Sequence, residues 1–146
     1  MDKLLSSWRV WAVMSAVFAA LTAIFAKIGV ETVNSDFATF VRTIVILGVC
    51  AALLTALGEW QPPSAVSSRA YFFLVLSGMA TGASWLCYFR ALKLGEAARV
   101  APIDKLSVVM VAVFGALFLG EKLAAPNWVG VGLIAIGAVL VAYQAG

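Results

Sequence analysis

The amino-acid sequence predicts an all-α integral membrane protein, a bundle of five transmembrane helices. Three observations carry that prediction. Of 146 residues, 64% are hydrophobic and only 12% charged, about half the charged fraction of an ordinary globular domain. The apolar residues gather into five runs, each close to the roughly 20 residues that a helix needs to cross a hydrocarbon core about 30 Å thick. Between the runs lie short connectors, GVETVNSD, GEWQPPSAVSSR, KLGEA and GEKLAA, each with the Gly, Pro, Ser or charge that ends a span.

The first span is placed at Trp8 to Lys27. Its apolar stretch exceeds the usual 7 to 15 residues of a signal peptide's hydrophobic region, so it is expected to stay as a membrane helix. The others are placed at Phe37 to Leu57, Ala70 to Leu92, Ala98 to Leu119 and Pro126 to Tyr143. Together they fill residues 1–146 as a single transmembrane domain. Trp and Tyr favour the boundary of hydrocarbon and headgroup, and Trp8, Trp11, Trp60, Tyr71 and Trp128 fall at span ends that alternation puts on one side. Small residues recur at helix-packing spacing: Ala12, Ala16 and Ala20 in the first span, Gly78 and Gly82 in the third, Gly130 and Gly137 in the fifth. Such residues let helix backbones approach closely where no hydrophobic force draws them together.

Composition also narrows the chemistry. There is no histidine, so the commonest metal ligand and the usual general base near neutral pH are missing. Cys50 and Cys87 lie inside apolar runs at no metal-ligand spacing, which reads as small buried hydrophobes. No catalytic residue, metal site or cofactor is expected. An intramembrane enzyme would need a nucleophile and base within reach, and Ser107 and Lys105 are two apart on one helix and face apart. The net charge of +3 is spread singly along the chain, which is no nucleic-acid patch. The expected partners are a small-molecule substrate and membrane lipid.

Ionisable groups inside spans are costly and mark functional sites by default. They are Lys27, Arg42, Arg90, Asp104 and Lys105, which alternation gathers in one leaflet, opposite the tryptophan-rich side. Lys27 and Arg90 lie near helix ends, where long basic side chains can snorkel. Arg42 and Asp104 lie deeper, and aspartate is too short to snorkel. A polar vestibule accounts for them, with Asp104 expected to pair with Arg42 or Arg90 from a neighbouring helix. Lys105 points about 100° away around the same helix. Pro102 either starts that helix or breaks its hydrogen-bond ladder, which makes it a candidate hinge. Trp85 and Tyr88, a turn below Arg90, line the vestibule in this reading. Four positive charges against one negative suit an anionic or zwitterionic small molecule.

Topology is weakly signalled. With a cytoplasmic N-terminus, the inside collects Lys3, Arg9, Arg69 and Lys122, and the outside collects Lys93, Arg99 and the four basic vestibule residues. The positive-inside rule is nearly silent on such a distribution. An odd number of spans with so weak a bias permits insertion in both orientations, and two opposed copies would form an inverted repeat of the kind common in secondary transporters. An antiparallel homodimer is therefore expected.

The stretch from Tyr88 to Val141, YFRALKLGEAARVAPIDKLSVVMVAVFGALFLGEKLAAPNWVGVGLIAIGAVLV, resembles the second half of an EamA-type domain of the drug/metabolite transporter superfamily. The resemblance is carried by the aromatic and alanine before a K-x-G turn, the P-I-D-K-x-S segment, and the L-G-E-K-L exit into a glycine-rich last span. The opening WAVMSAVFAALTAIFAKIGV fits as well. The resemblance implies a permease or exporter of small polar metabolites in a bacterial inner or plasma membrane. Most members have ten spans from two such domains, and this chain is similar to the short five-span members, which favours a dimer working by alternating access. The related small multidrug resistance proteins use a membrane-embedded glutamate in their first span, whereas the first span here carries no acid. The alternative reading is a non-transporting accessory or assembly subunit whose charges simply join helices.

Overall fold

A computed structural model describes residues 7–143. Lys3, counted above among the basic residues of the inner side, lies outside the described residues. The elements are helices α1 (Trp8–Val30), α2 (Ser35–Leu57), α3 (Ser68–Leu94), α4 (Ala97–Asp104), α5 (Leu106–Phe118) and α6 (Ala125–Ala142), with a 3-10 turn at Pro63–Ala65. Among the described residues there is no strand. Counting α4 and α5 as one interrupted span, Ala97–Phe118, five helices are long and apolar enough to cross a membrane. The protein is thus a multi-pass integral membrane protein. At 1.5 Å per residue the 23 residues of α1 and of α2 each cover about 34 Å, a little more than the hydrocarbon core.

Every predicted span lies within three residues of an observed helix at both ends. Helices α1, α2 and α3 run past the predicted segments, and in α2 the capping of its end groups accounts for the extension. At the start of α2 the Asn34 carbonyl Oδ1 accepts from the amides of Asp36 (2.8 Å) and Phe37 (3.2 Å), an N-cap that draws Ser35 and Asp36 into the first turn. At its end Gly58 takes φ 67°, and the Glu59 amide bonds the Leu54 carbonyl at 3.0 Å, closing a Schellman motif that a non-glycine residue would strain.

The chain divides into two compact units. One comprises residues 28–93 and so holds α2 and α3; the other comprises the described residues of 7–27 and 94–143 and holds most of α1 with α4, α5 and α6. In the α2–α3 unit the described buried residues are Val30, Ser35, Thr39, Phe89 and Leu92, all at the end where α2 begins and α3 finishes. Thr39 donates its hydroxyl to the Ser35 carbonyl (2.9 Å) and Thr43 to that of Thr39 (2.8 Å), so these polar groups are satisfied within their own helix.

In the other unit the described buried residues are Ala23, Ala26, Gly115 and Ala138. Small side chains at these points permit close backbone approach, and α6 packs against both α4 and α5. The stripe of Ala12, Ala16 and Ala20 is exposed instead, so the packed alanines of α1 lie further along the helix than the sequence spacing suggested. The L-G-E-K-L exit has a local purpose: Gly120 adopts φ 68°, and the Glu121 amide returns to the Gly115 carbonyl at 3.1 Å. The Glu121 carboxylate lies over Gly115, so a Cβ there would come 2.7 Å from Oε2.

Candidate functional site

The α2–α3 unit concentrates charge at one end. Arg90 on α3 reaches Asp36 in the first turn of α2, with one guanidinium nitrogen bonded to both carboxylate oxygens at 2.9 and 3.1 Å. Ser35 donates to the same carboxylate at 3.3 Å, and the Lys93 amine donates to the Val33 carbonyl. These contacts tie the end of α3 to the entrance of α2. Sequence reasoning left Asp36 in the connector, one residue outside the predicted span. The signal was present in Asn-Ser-Asp, since an Asn cap followed by an acid two residues later marks a helix start favourable to negative charge.

Arg42 lies two turns further into α2. Its guanidinium sits over the Trp85 ring, 4.1 Å from the centroid, and 5.4 Å from the centroid of Phe89. Trp85 and Phe89 are four apart and therefore share one face of α3. Phe89 is 3% exposed, and sequence reasoning did not single it out. Tyr88, expected beside Trp85, is partly buried on α3. Stacking occupies the flat face of a guanidinium and leaves its in-plane N–H groups directed outward. A charge at mid-span costs about 2.5–3.5 kcal/mol on insertion scales, and a cation–π contact returns about 0.5–2 kcal/mol. The aromatic contact alone does not fully offset the charge.

In the other unit, Lys27 donates to the Gly95 carbonyl at 2.9 Å, joining the latter half of α1 to the turn before α4. Pro102 sits inside α4. It has no amide hydrogen, so the Ala98 carbonyl loses its helical donor. The helix gives way two residues later: Lys105 adopts φ −71° and ψ −6°, with its amide shared between the carbonyls of Ala101 (3.2 Å) and Pro102 (3.1 Å). That ψ is well away from the helical value near −42°. At this break the Lys105 amine meets the Asp104 carboxylate at 3.1 Å.

The observed pairing of acids differs from the sequence-based expectation. Asp104 is paired with its chain neighbour Lys105, and the carboxylate partner of Arg90 is Asp36. A flexible lysine at a relaxed backbone position can turn back on the preceding residue, although the two Cα–Cβ bonds diverge. Arg90 is closer along the chain topology to the entrance of α2, where Asp36 is capped and oriented.

Comparison with known proteins agrees with this architecture. The model of the EamA-like transporter family matches residues 6–143. The chain is 67% identical to an uncharacterized transporter in the cobO 3′ region of Sinorhizobium sp, over 136 residues that make up 93% of this chain and 96% of that protein. It is 28% identical over 125 residues to an uncharacterized protein of Methanocaldococcus jannaschii, covering 86% of this chain and 88% of the other. No solved structure matches. Five membrane-crossing helices, the proline-broken fourth span and a family match over nearly the whole chain lead to one conclusion: the protein belongs to the EamA-like transporter family and is a multi-pass membrane transporter.

Proposed function

We propose that the protein is a secondary transporter of small polar metabolites, anionic or zwitterionic, working by alternating access in a homodimer within a bacterial inner or plasma membrane. The observation that carries this reading is Arg42, a cation well inside a span whose guanidinium lies over the Trp85 ring, 4.1 Å from its centroid, where a bound anion would offset its charge. The acid at this end of the helix pair, Asp36, is taken by Arg90. In the other unit, Lys27 and Lys105 are further basic groups, and Asp104 stands at a break in the fourth span.

The odd number of spans and the weak charge bias support the dimer. Five spans place the two ends of one chain on opposite sides, and two copies related by an axis in the membrane plane would offer one site to each side. The exposed stripe of Ala12, Ala16 and Ala20 gives such a partner a surface for close approach.

The test is counterflow in vesicles containing the purified protein, comparing amino acids, sugars and organic anions. Anions or zwitterions are expected to exchange, and Arg42→Ala is expected to reduce that exchange at least tenfold. A charge-assisted hydrogen bond contributes about 1.5–3 kcal/mol, roughly a tenfold to hundredfold factor. Robust exchange of lipophilic cations, indifferent to Arg42→Ala, would refute the anion reading. For the dimer, a C-terminal tag reached from both sides supports the antiparallel arrangement, and one reached from a single side removes it.

A further inference from the structure

The α2–α3 unit also contains a groove of about 480 Å³ between its two helices. Small-molecule sites occupy about 300–1,000 Å³, so the groove has room for a small metabolite. Thr43 and Leu47 of α2 line it, with Ser77, Gly78, Gly82 and Trp85 of α3. Thr43 is eight residues into α2, about 12 Å along the helix, so the groove begins below the interface and runs through the middle of the bilayer.

Two features give the groove a chemical preference. Its walls are apolar apart from hydroxyls, and the protons of Thr43 and Thr81 are already donated to the carbonyls of Thr39 (2.8 Å) and Ser77 (2.9 Å). No carboxylate lines it. At one end stands Trp85, and over that ring lies Arg42. The result is a largely apolar trough with a guanidinium beside one end and no acid to receive an ammonium.

We propose that this groove binds the apolar part of an organic monoanion, with the carboxylate on the edge of Arg42 and the hydrocarbon or aromatic part along Gly78 and Gly82. The proposal rests on the transport reading above and narrows it: a simple carboxylate is preferred over the amino acid of the same skeleton, because no carboxylate lines the groove to pair with the ammonium. Gly78 and Gly82 set its depth. A Cβ at either glycine meets nothing within 4 Å, so helix packing within the chain does not demand glycine, and a side chain at Gly82 would occupy space the ligand needs.

The experiment uses the full chain in liposomes, with 3-phenylpropionate, propionate and phenylalanine as probes. Wild-type protein is expected to prefer 3-phenylpropionate over both of the others. Gly82→Leu is expected to reduce the preference for 3-phenylpropionate over propionate by roughly tenfold, each excluded methylene weakening binding about fourfold, and Gly82→Ala to reduce it by a smaller step. If the leucine variant does not fold, Thr43→Leu on the opposite wall reads the same preference. A preference unmoved by these changes, or phenylalanine favoured over 3-phenylpropionate, overturns the proposal. So does a dimer that dissociates in Gly82→Leu, which assigns the groove to a helix of a second copy, or a co-purifying phospholipid displaced by the leucine, which assigns it to an acyl chain. Calorimetry of 3-phenylpropionate on the purified protein separates the two readings. Binding without uptake overturns transport and supports the groove; uptake indifferent to Gly82 overturns the groove and supports transport; neither binding nor uptake overturns both.

Discussion

The helix pair α2–α3 and the interrupted span α4–α5 keep charge in a membrane by different means. In the pair, partners come from the opposite helix: Arg90 holds Asp36 at 2.9 Å and Arg42 lies 4.1 Å from the Trp85 centroid. Each such contact needs the two helices at one spacing, so the charges fix the packing and the packing fixes the charges. In the interrupted span, Asp104 and Lys105 are chain neighbours, held at 3.1 Å by a local departure from helical geometry. Their pairing depends on a few backbone angles and on no other helix. Cross-helix charges therefore suit a rigid wall, and a neighbour pair at a helix break suits a part that changes partner during a transport cycle.

The largest expected effect tests the interrupted-span half of that contrast. Asp104→Asn should lower transport about tenfold while leaving expression near native, because it removes a membrane-embedded carboxylate at the helix break without unlocking any helix pair. Vesicle flux normalised to protein amount measures it. Unaltered flux with full expression would mean that Asp104 only neutralises Lys105. Asp36→Asn should behave in the opposite sense, lowering stability first. Both groups of that pair are partly exposed, with side chains 64% and 47% accessible, and exposed pairs contribute about 0.2–1 kcal/mol. A double-mutant cycle on Asp36 and Arg90, read by thermal unfolding in detergent, should find a coupling in that range, whereas one on Asp104 and Lys105 should find less. Equal couplings would erase the distinction between the two regions.

The contrast also explains what was legible in the sequence. Spans were readable because length and apolarity are summed over some 20 residues, and errors at single positions do not matter. The depth of Arg42 and Asp104, and the proline beside the latter, could be read from position alone. Pairing could not. The partner of Arg90 depends on which face of α2 meets α3, and Asp36 entered the helix through the Asn34 cap, a feature outside the apolar run. Phe89 was overlooked for a similar reason: its contact with Arg42 rests on the i,i+4 relation to Trp85 together with the rotation of α3, and only the first of these is written in the sequence. The Asp104–Lys105 pair was set aside on ideal helical geometry, which holds only where the helix is unbroken.

The break itself supplies the smallest and most selective test. Pro102 deprives the Ala98 carbonyl of a donor, and Lys105 sits at ψ −6° with α5 starting anew at Leu106. Pro102→Ala restores the missing amide, and a proline in a helix interior costs about 3 kcal/mol relative to alanine, so the variant should melt at a higher temperature. A continuous helix would return Lys105 to a direction about 100° from Asp104 and weaken their contact. Substrate affinity should change little, since the groups on α2 and α3 are untouched, while the maximal rate of exchange should fall about threefold if the break moves during the cycle. Binding calorimetry and initial-rate flux on the same preparation separate the two quantities. A stabler protein with an unchanged rate would make the break a static feature, and the fourth span would then belong with α2–α3 as part of the fixed frame.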